Sequence, residues 1–165
     1  KQVKMVADFM IQSLPGFQHA SVSAVGTQIG IRETRRIDGQ YALQTNDVIE
    51  GRRFDDCIAR SGYPIDIHDP SGKGVIAAWV QDDAYDIPYR CLLPKKIQNL
   101  LAAGRCISTS HEALATTRLT PSCMATGQAA GTAAGLAVKH GCTPSEVDVE
   151  ELQAELRKGG ALLSR

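Results

Sequence analysis

The chain has 165 residues, 18 of them basic and 18 acidic, so it is formally neutral at pH 7. That length suits one ordinary domain or two small lobes. The even charge offers no basic stripe to nucleic acid and no polybasic segment to a membrane, and no apolar stretch is long enough to span a bilayer. Five cysteines, at 57, 91, 106, 123 and 142, are odd in number and include no CxxC pair, which favours reduced thiols in a cytoplasmic protein over a disulfide or zinc framework.

Residues 1–14 place Val3, Val6, Ala7, Met10, Ile11 and Leu14 at helical spacing, and Pro15-Gly16 stops the helix. Residues 20–37 read as strand, clean over Ser21–Val25 and looser over Ile29–Ile37. Asp38-Gly39 is a hairpin signal, with Tyr41–Leu43 as the returning strand. Thr45-Asn46-Asp47 caps a short helix that ends near Gly51. Within 63–94, Tyr63–His68 and Ile87–Leu93 read as short strands, broken at Asp69-Pro70-Ser71-Gly72. Gly72–Ala77 has the letters of a dinucleotide fingerprint, G-x-G-x-x-A, but Asp82-Asp83 and Pro88 cut off the long helix that such a site needs, so it reads as loop.

Residues 97–140 form a strand–loop–helix unit. The apolar run Ile97–Ala103 reads as a buried strand ending at a Gly104-Arg105 turn, followed by a polar loop over 106–118. Thr120 as N-cap with Pro121 at the first helical position opens a glycine- and alanine-rich helix. Gly127, Gly131 and Gly135 fall four apart and share one face. Each costs about 1 kcal/mol relative to alanine, so something must need that face bare. It is either a closely packed backbone or a flat ligand at the helix start, where free N–H groups and the dipole favour anionic groups. Thr143–Glu146 then forms a capping box, Asp148 caps a second helix over about 149–158, and Gly159-Gly160 ends it.

Several side chains carry two readings. Arg32-Glu33-Thr34-Arg35-Arg36 is either a solvated charged face or a strand that points one arginine at a substrate carboxylate or phosphate. Tyr89 and Arg90 line a pocket or simply end a strand. Cys123, in the first helical turn, has either a lowered thiol pKa or a small-residue packing role. The four histidines form no metal set. Only His111, ahead of the glycine helix, is placed to meet a ligand or exchange a proton, with a structural role as the alternative.

Ile29–Gly39, Gly51–Ala59, Tyr63–Ile67, Ile87–Pro94, Asn99–Ser108 and Arg118–Gly131, in that order, resemble the C-terminal part of the FAD-dependent oxidoreductase family of bacteria, over most of residues 20–140. The resemblance implies a glutathione-reductase-like α/β flavin fold. Residues 1–95 would be a β-rich part of the substrate lobe with an N-terminal helix, and 96–165 a C-terminal FAD-binding segment with the terminal helix. It places Gly104 and Arg105 near the FAD pyrophosphate and ribityl chain. Thr120, Pro121, Ser122, Cys123 and Met124 fall at the flavin pyrimidine edge, and Gly127 lets the helix approach closely. Arg32, Arg35, Tyr89 and Arg90 fall in the lobe facing a small-molecule substrate. His111 and Arg118 flank the loop into the helix and are the candidates for the chemistry, Arg118 pairing with Glu112 in the blander alternative. The N-terminal fingerprint unit of such flavoproteins is not in this sequence, so the complete enzyme is expected to be longer, with that dinucleotide-binding part as partner. The isolated piece is expected to be inactive and prone to form a homo-oligomer. A rival reading is a non-catalytic assembly module that uses the small-residue helix face.

Overall fold

The structure, a computed structural model, describes residues 1–68 and 75–163. The chain divides into two units, Lys1–Ile31 and Arg32–Arg165. In the first, α1 spans Gln2–Ser13 and buries no residue. Lys4 and Asp8, one turn apart, pair at 2.7 Å on its exposed surface. The strand expected over 20–37 does not form. Val22, Val25, Ile29 and Ile31 are exposed, and alternation without a neighbouring strand yields no ladder bonds.

The second unit holds two antiparallel ribbons, one nested inside the other along the chain. Strand β1 (Cys57–Ser61) pairs with β4 (Tyr85–Pro88), and β2 (Ile65–His68) pairs with β3 (Val75–Ala78). The break at 69–72 and the glycines of the fingerprint look-alike lie outside the described residues, while the end of that look-alike is β3. Of the expected strand at 87–93, Ile87-Pro88 belong to β4, and Tyr89–Cys91 turn into a 3-10 helix.

Four further expectations are corrected. Asp38-Gly39 makes no hairpin: Gly39 bridges to Pro94, and Leu43 bridges in parallel to Thr109. Gly39 serves close approach, because a Cβ there would lie 2.5 Å from the Ser108 Cβ, and its N–H donates to Ser108 Oγ at 3.1 Å. Residues 97–103 form no strand; Ile97 and Leu100 are exposed, and the segment is tied down by Ala102 N–H to the Leu92 carbonyl. The stretch expected as polar loop contains α3 (His111–Thr117), capped by Ser110, whose side chain accepts from the Ala113 N–H. Finally, Leu119 is the N-cap of α4 (Thr120–His140), so Thr120 is already helical.

Helix α2 spans Thr45–Ile49 with Asp47 closing a capping box, and its N-cap is Gln44, one residue before the expected cap, so Thr45 is already helical. The other cap signals form. The Thr143–Glu146 box forms, and α5 (Val149–Lys158) starts at Asp148, whose side chain accepts from the N–H groups of Glu150 and Glu151. Acidic residues in its first turn and Arg157 and Lys158 in its last complement the helix dipole.

The core joins Ile58, Tyr85, Ile87, Tyr89 and Leu92 to Ala129, Ala133 and Ala137 of α4 and Leu152 and Leu156 of α5. Small residues on α4 let it lie close to β1. Tyr89 is pinned within this core, its hydroxyl donating to the Pro144 carbonyl at 2.7 Å, and burial pushes its pKa up to about 12. Before β4, Asp82 and Asp83 both adopt left-handed φ, +53° and +62°. Their turn presses on two glycines: a Cβ on Gly51 would meet the Gln81 carbonyl oxygen at 2.4 Å, and one on Gly62 the Asp83 carbonyl oxygen at 2.4 Å.

Two stability measurements follow from this packing. Gly62→Ala forces a backbone shift in the Asp82–Asp83 turn and should cost about 1–3 kcal/mol in urea unfolding; an unchanged midpoint would show that the turn yields freely. Tyr89→Phe keeps the ring but leaves the buried Pro144 carbonyl without its donor, for a loss of about 1–3 kcal/mol by the same measurement.

Candidate functional site

Gly104–Cys106 form one 3-10 turn, and Gly104 has φ +72°, a left-handed conformation that glycine adopts without strain. This turn meets the beginning of α4. The Gly104 N–H donates to Thr126 Oγ1 at 3.0 Å. That hydroxyl in turn donates to the carbonyl oxygens of Ser122 and Cys123, at 2.9 and 3.1 Å. A Cβ on Gly104 would lie 3.7 Å from both Cβ and Sγ of Cys123, an ordinary van der Waals distance, so it is the left-handed φ and not crowding that calls for glycine there. The turn and the helix start, expected from different motifs, therefore form one junction.

The electrostatics of Cys123 decide between its two readings. Burial pushes its thiol up from the ordinary value, against the pull of the Arg105 guanidinium. The S–H donates to the Arg118 carbonyl at 3.3 Å. It is a packed, protonated thiol, and the lowered pKa of a first-turn cysteine is not realised. Among the described residues, cysteines 57, 91, 106, 123 and 142 form no disulfide, and there is no cluster able to hold a metal ion.

Helix α4 begins without a side-chain cap. Thr120, Pro121 and Met124 are exposed, while Ser122 is buried with its hydroxyl 3.4 Å from that of Ser61. An uncapped start leaves N–H groups and the positive dipole end facing outward. The helix seats Ser122, Thr126, Ala129, Ala133, Leu136 and Ala137 inward. Gly127, Gly131 and Gly135 are exposed, and a Cβ at any of them would meet nothing within 4 Å. The bare face is thus not used for packing within this chain. A left-handed glycine turn thus lies against an uncapped helix start, on a helix that also carries an open glycine face.

The two candidates for chemistry sit at the two ends of α3. His111 is its first residue, exposed, with Nδ1 2.8 Å from Glu33 Oε2. Burial raises the Glu33 pKa, but hydrogen bonds from His111 and Arg36 outweigh it and hold the carboxyl below its ordinary value. Arg118 is the C-cap of α3, half-buried, and makes no ion pair among the described residues. Glu112, its alternative partner, instead accepts from Thr45 Oγ1 at 3.2 Å.

The remaining candidates are dispersed. Arg32 and Arg35 are exposed and without ion pairs among the described residues, whereas Arg36 pairs with Glu33. Tyr89 is in the core. Arg90 is clamped by Asp56, with Nε at 2.9 Å and Nη2 at 3.1 Å, and lies over the Tyr41 ring at 5.3 Å. Sequence reading missed Thr126, Glu33 and Asp56. Thr126 stands out as a polar residue on the apolar side of an Ala/Gly helix; the other two are single acids that only the fold brings to their partners.

Neither a curated protein nor a solved structure matches the chain. The family model described as FAD dependent oxidoreductase matches residues 1–156. With that match covering most of its length, the chain belongs to the FAD-dependent oxidoreductase family, whose cofactor is FAD.

Proposed function

We propose that this chain supplies one side of the flavin site and part of the substrate lobe of an FAD-dependent oxidoreductase, with residues 96–165 holding cofactor and 1–95 contributing to the substrate side. The observation that carries this reading is the Gly104–Thr126 hydrogen bond, which seats the glycine turn against the uncapped start of α4. Gly104 and Arg105 would hold the pyrophosphate and ribityl portion, and Thr120, Pro121, Ser122, Cys123, Met124 and Gly127 would border the flavin ring. Bound flavin supplies hydride exchange at N5 with a small-molecule substrate. The positive end of α4 stabilises negative charge at the ring's pyrimidine edge.

Arg118 holds an anionic group through its fixed charge. His111, oriented through Nδ1 by Glu33, presents Nε2 for proton exchange. Arg32 and Arg35 have guanidinia uncommitted among the described residues and suit an acidic substrate, whereas Arg90 and Tyr89 shape that lobe from fixed positions. The N-terminal dinucleotide-binding part of the same protein completes the site from the other side.

An assembly module is favoured by one specific observation, the open glycine face flanked by exposed Met124 and Val138. The full-length protein separates the two readings. It should purify with the visible absorbance of oxidised flavin. Gly127→Leu should lose that absorbance while keeping its circular dichroism, because position 127 is exposed and a Cβ there would meet nothing within 4 Å. A colourless protein that takes up no added FAD favours assembly.

The chemistry has its own test. His111→Ala and Arg118→Ala should retain FAD, and flavin reduction in stopped flow should slow by about 10²-fold or more for a group that transfers a proton. Wild-type rates on both sides of the imidazole pKa of about 6.5 would remove both residues from the reaction.

A further inference from the structure

A cleft of about 810 Å³ opens between the segment leading into β1 and one face of α5. None of its lining residues belongs to the proposed flavin site. Three arginines, Arg53, Arg60 and Arg157, line it together with Glu150, Gln153 and the ring of Phe54. Glu150, Gln153 and Arg157 are spaced three and four apart, so α5 presents them on a single face. Gln153 fastens that face to the opposite wall. Its amide donates to the carbonyl oxygens of Asp55 and Cys57, at 2.7 and 3.0 Å.

Two of the arginines, Arg53 and Arg60, are held at the wall by one carboxylate. Asp86 is fully buried, accepts from the Phe54 N–H at 3.1 Å, and lies 3.1 Å from Arg53 Nη1 and 3.4 Å from Arg60 Nε. One carboxylate thus faces two guanidinia. Arg60 Nε is buried yet has no hydrogen-bond acceptor, and Arg157 makes no ion pair among the described residues. With two guanidinia sharing Asp86 and the Arg157 side chain outside any ion pair among the described residues, the cleft has N–H donors to offer a carboxylate or phosphate, which guanidinium binds in a planar fork. The carboxylates of Asp55 and Glu150 line the same cleft and suit hydroxyl or ammonium donors on the same ligand.

We propose that this cleft is a second ligand site, distinct from the proposed flavin site, for a small organic anion that also carries hydroxyl or ammonium groups. Arg157 and Arg60 take the anion, Arg53 shares in it, and Phe54 forms the apolar wall.

Isothermal titration of the full-length protein tests this with tartrate, a hydroxylated dicarboxylate, and separately with inorganic phosphate, at constant ionic strength set by chloride. At least one should bind at millimolar concentration or below. Arg157→Ala should weaken that binding about tenfold, the loss of one charge-assisted hydrogen bond. Arg157 is exposed while Leu152 and Leu156 hold α5 to the core, so this variant keeps the fold, and unchanged circular dichroism and flavin content check it. Heat no greater than the chloride baseline for both anions overturns the proposal, as does affinity unchanged in Arg157→Ala.

Discussion

The hydroxyl of Thr126 fixes how the longest helix sits. It is almost fully buried, it donates to two carbonyls of its own helix, and it accepts the Gly104 N–H at 3.0 Å. Its one proton is shared between those carbonyls, and one of its lone pairs takes the Gly104 N–H. Both faces of α4 are lined by small residues, so apolar burial alone discriminates weakly between them. A buried hydroxyl that takes an N–H of the glycine turn does discriminate, because rotating the helix would separate the two. The result is a helix seated on its alanine side, with its glycines outward and its uncapped start beside the turn.

Carboxylates do comparable work elsewhere in the second unit. Asp47 accepts from the Tyr41 hydroxyl at 2.6 Å and from Arg52 at 2.8 Å. Burial, with that hydrogen bond, pushes the Tyr41 pKa up to about 12. Asp56 clamps Arg90 through two of its nitrogens, and Asp86 faces two arginines from inside the core. Each acid fastens a segment with little regular structure to a strand or helix. In a unit whose ribbons have only two strands each, such anchors hold what ladder bonds do not.

This division explains what could be read in the sequence. Helices α2, α4 and α5 announce themselves through local chemistry: Asp47 closing a box, Pro121 in a first turn, Asp148 receiving two N–H groups. The strands have no such local signal. Ser21–Val25 alternate without forming a strand, whereas Cys57–Ser61 form one because β4 lies beside them. Gly39 looked like half of a turn because Asp38 precedes it; its role is set by Ser108, remote in sequence. Helix α3 was hidden because His111-Glu112 and Thr116-Thr117 look polar, although the threonines are buried and the Thr116 hydroxyl meets that of Tyr85 at 2.9 Å. For the candidate site, Gly104 and the helix start were legible as motifs. Their contact through Thr126 was not, since spacing says nothing about which side chain faces which turn.

The exposed glycines complete the argument. At about 1 kcal/mol each relative to alanine, Gly127, Gly131 and Gly135 together weaken α4 by about 3 kcal/mol. Where a glycine is required inside this chain, the contact is visible: a Cβ on Gly51 or Gly62 would strike backbone at 2.4 Å. At the three helix positions a Cβ would touch nothing, so the chain's own packing would accept alanine at all of them. The bareness of that face therefore answers to something outside the packing of these residues. Gly127 lies on the same helix as the uncapped first turn and the Gly104 contact, the end where free N–H groups favour negative charge. The helix thus gives up stability along the face that leads from that end, and its alanine face, seated by Thr126, holds it in the core.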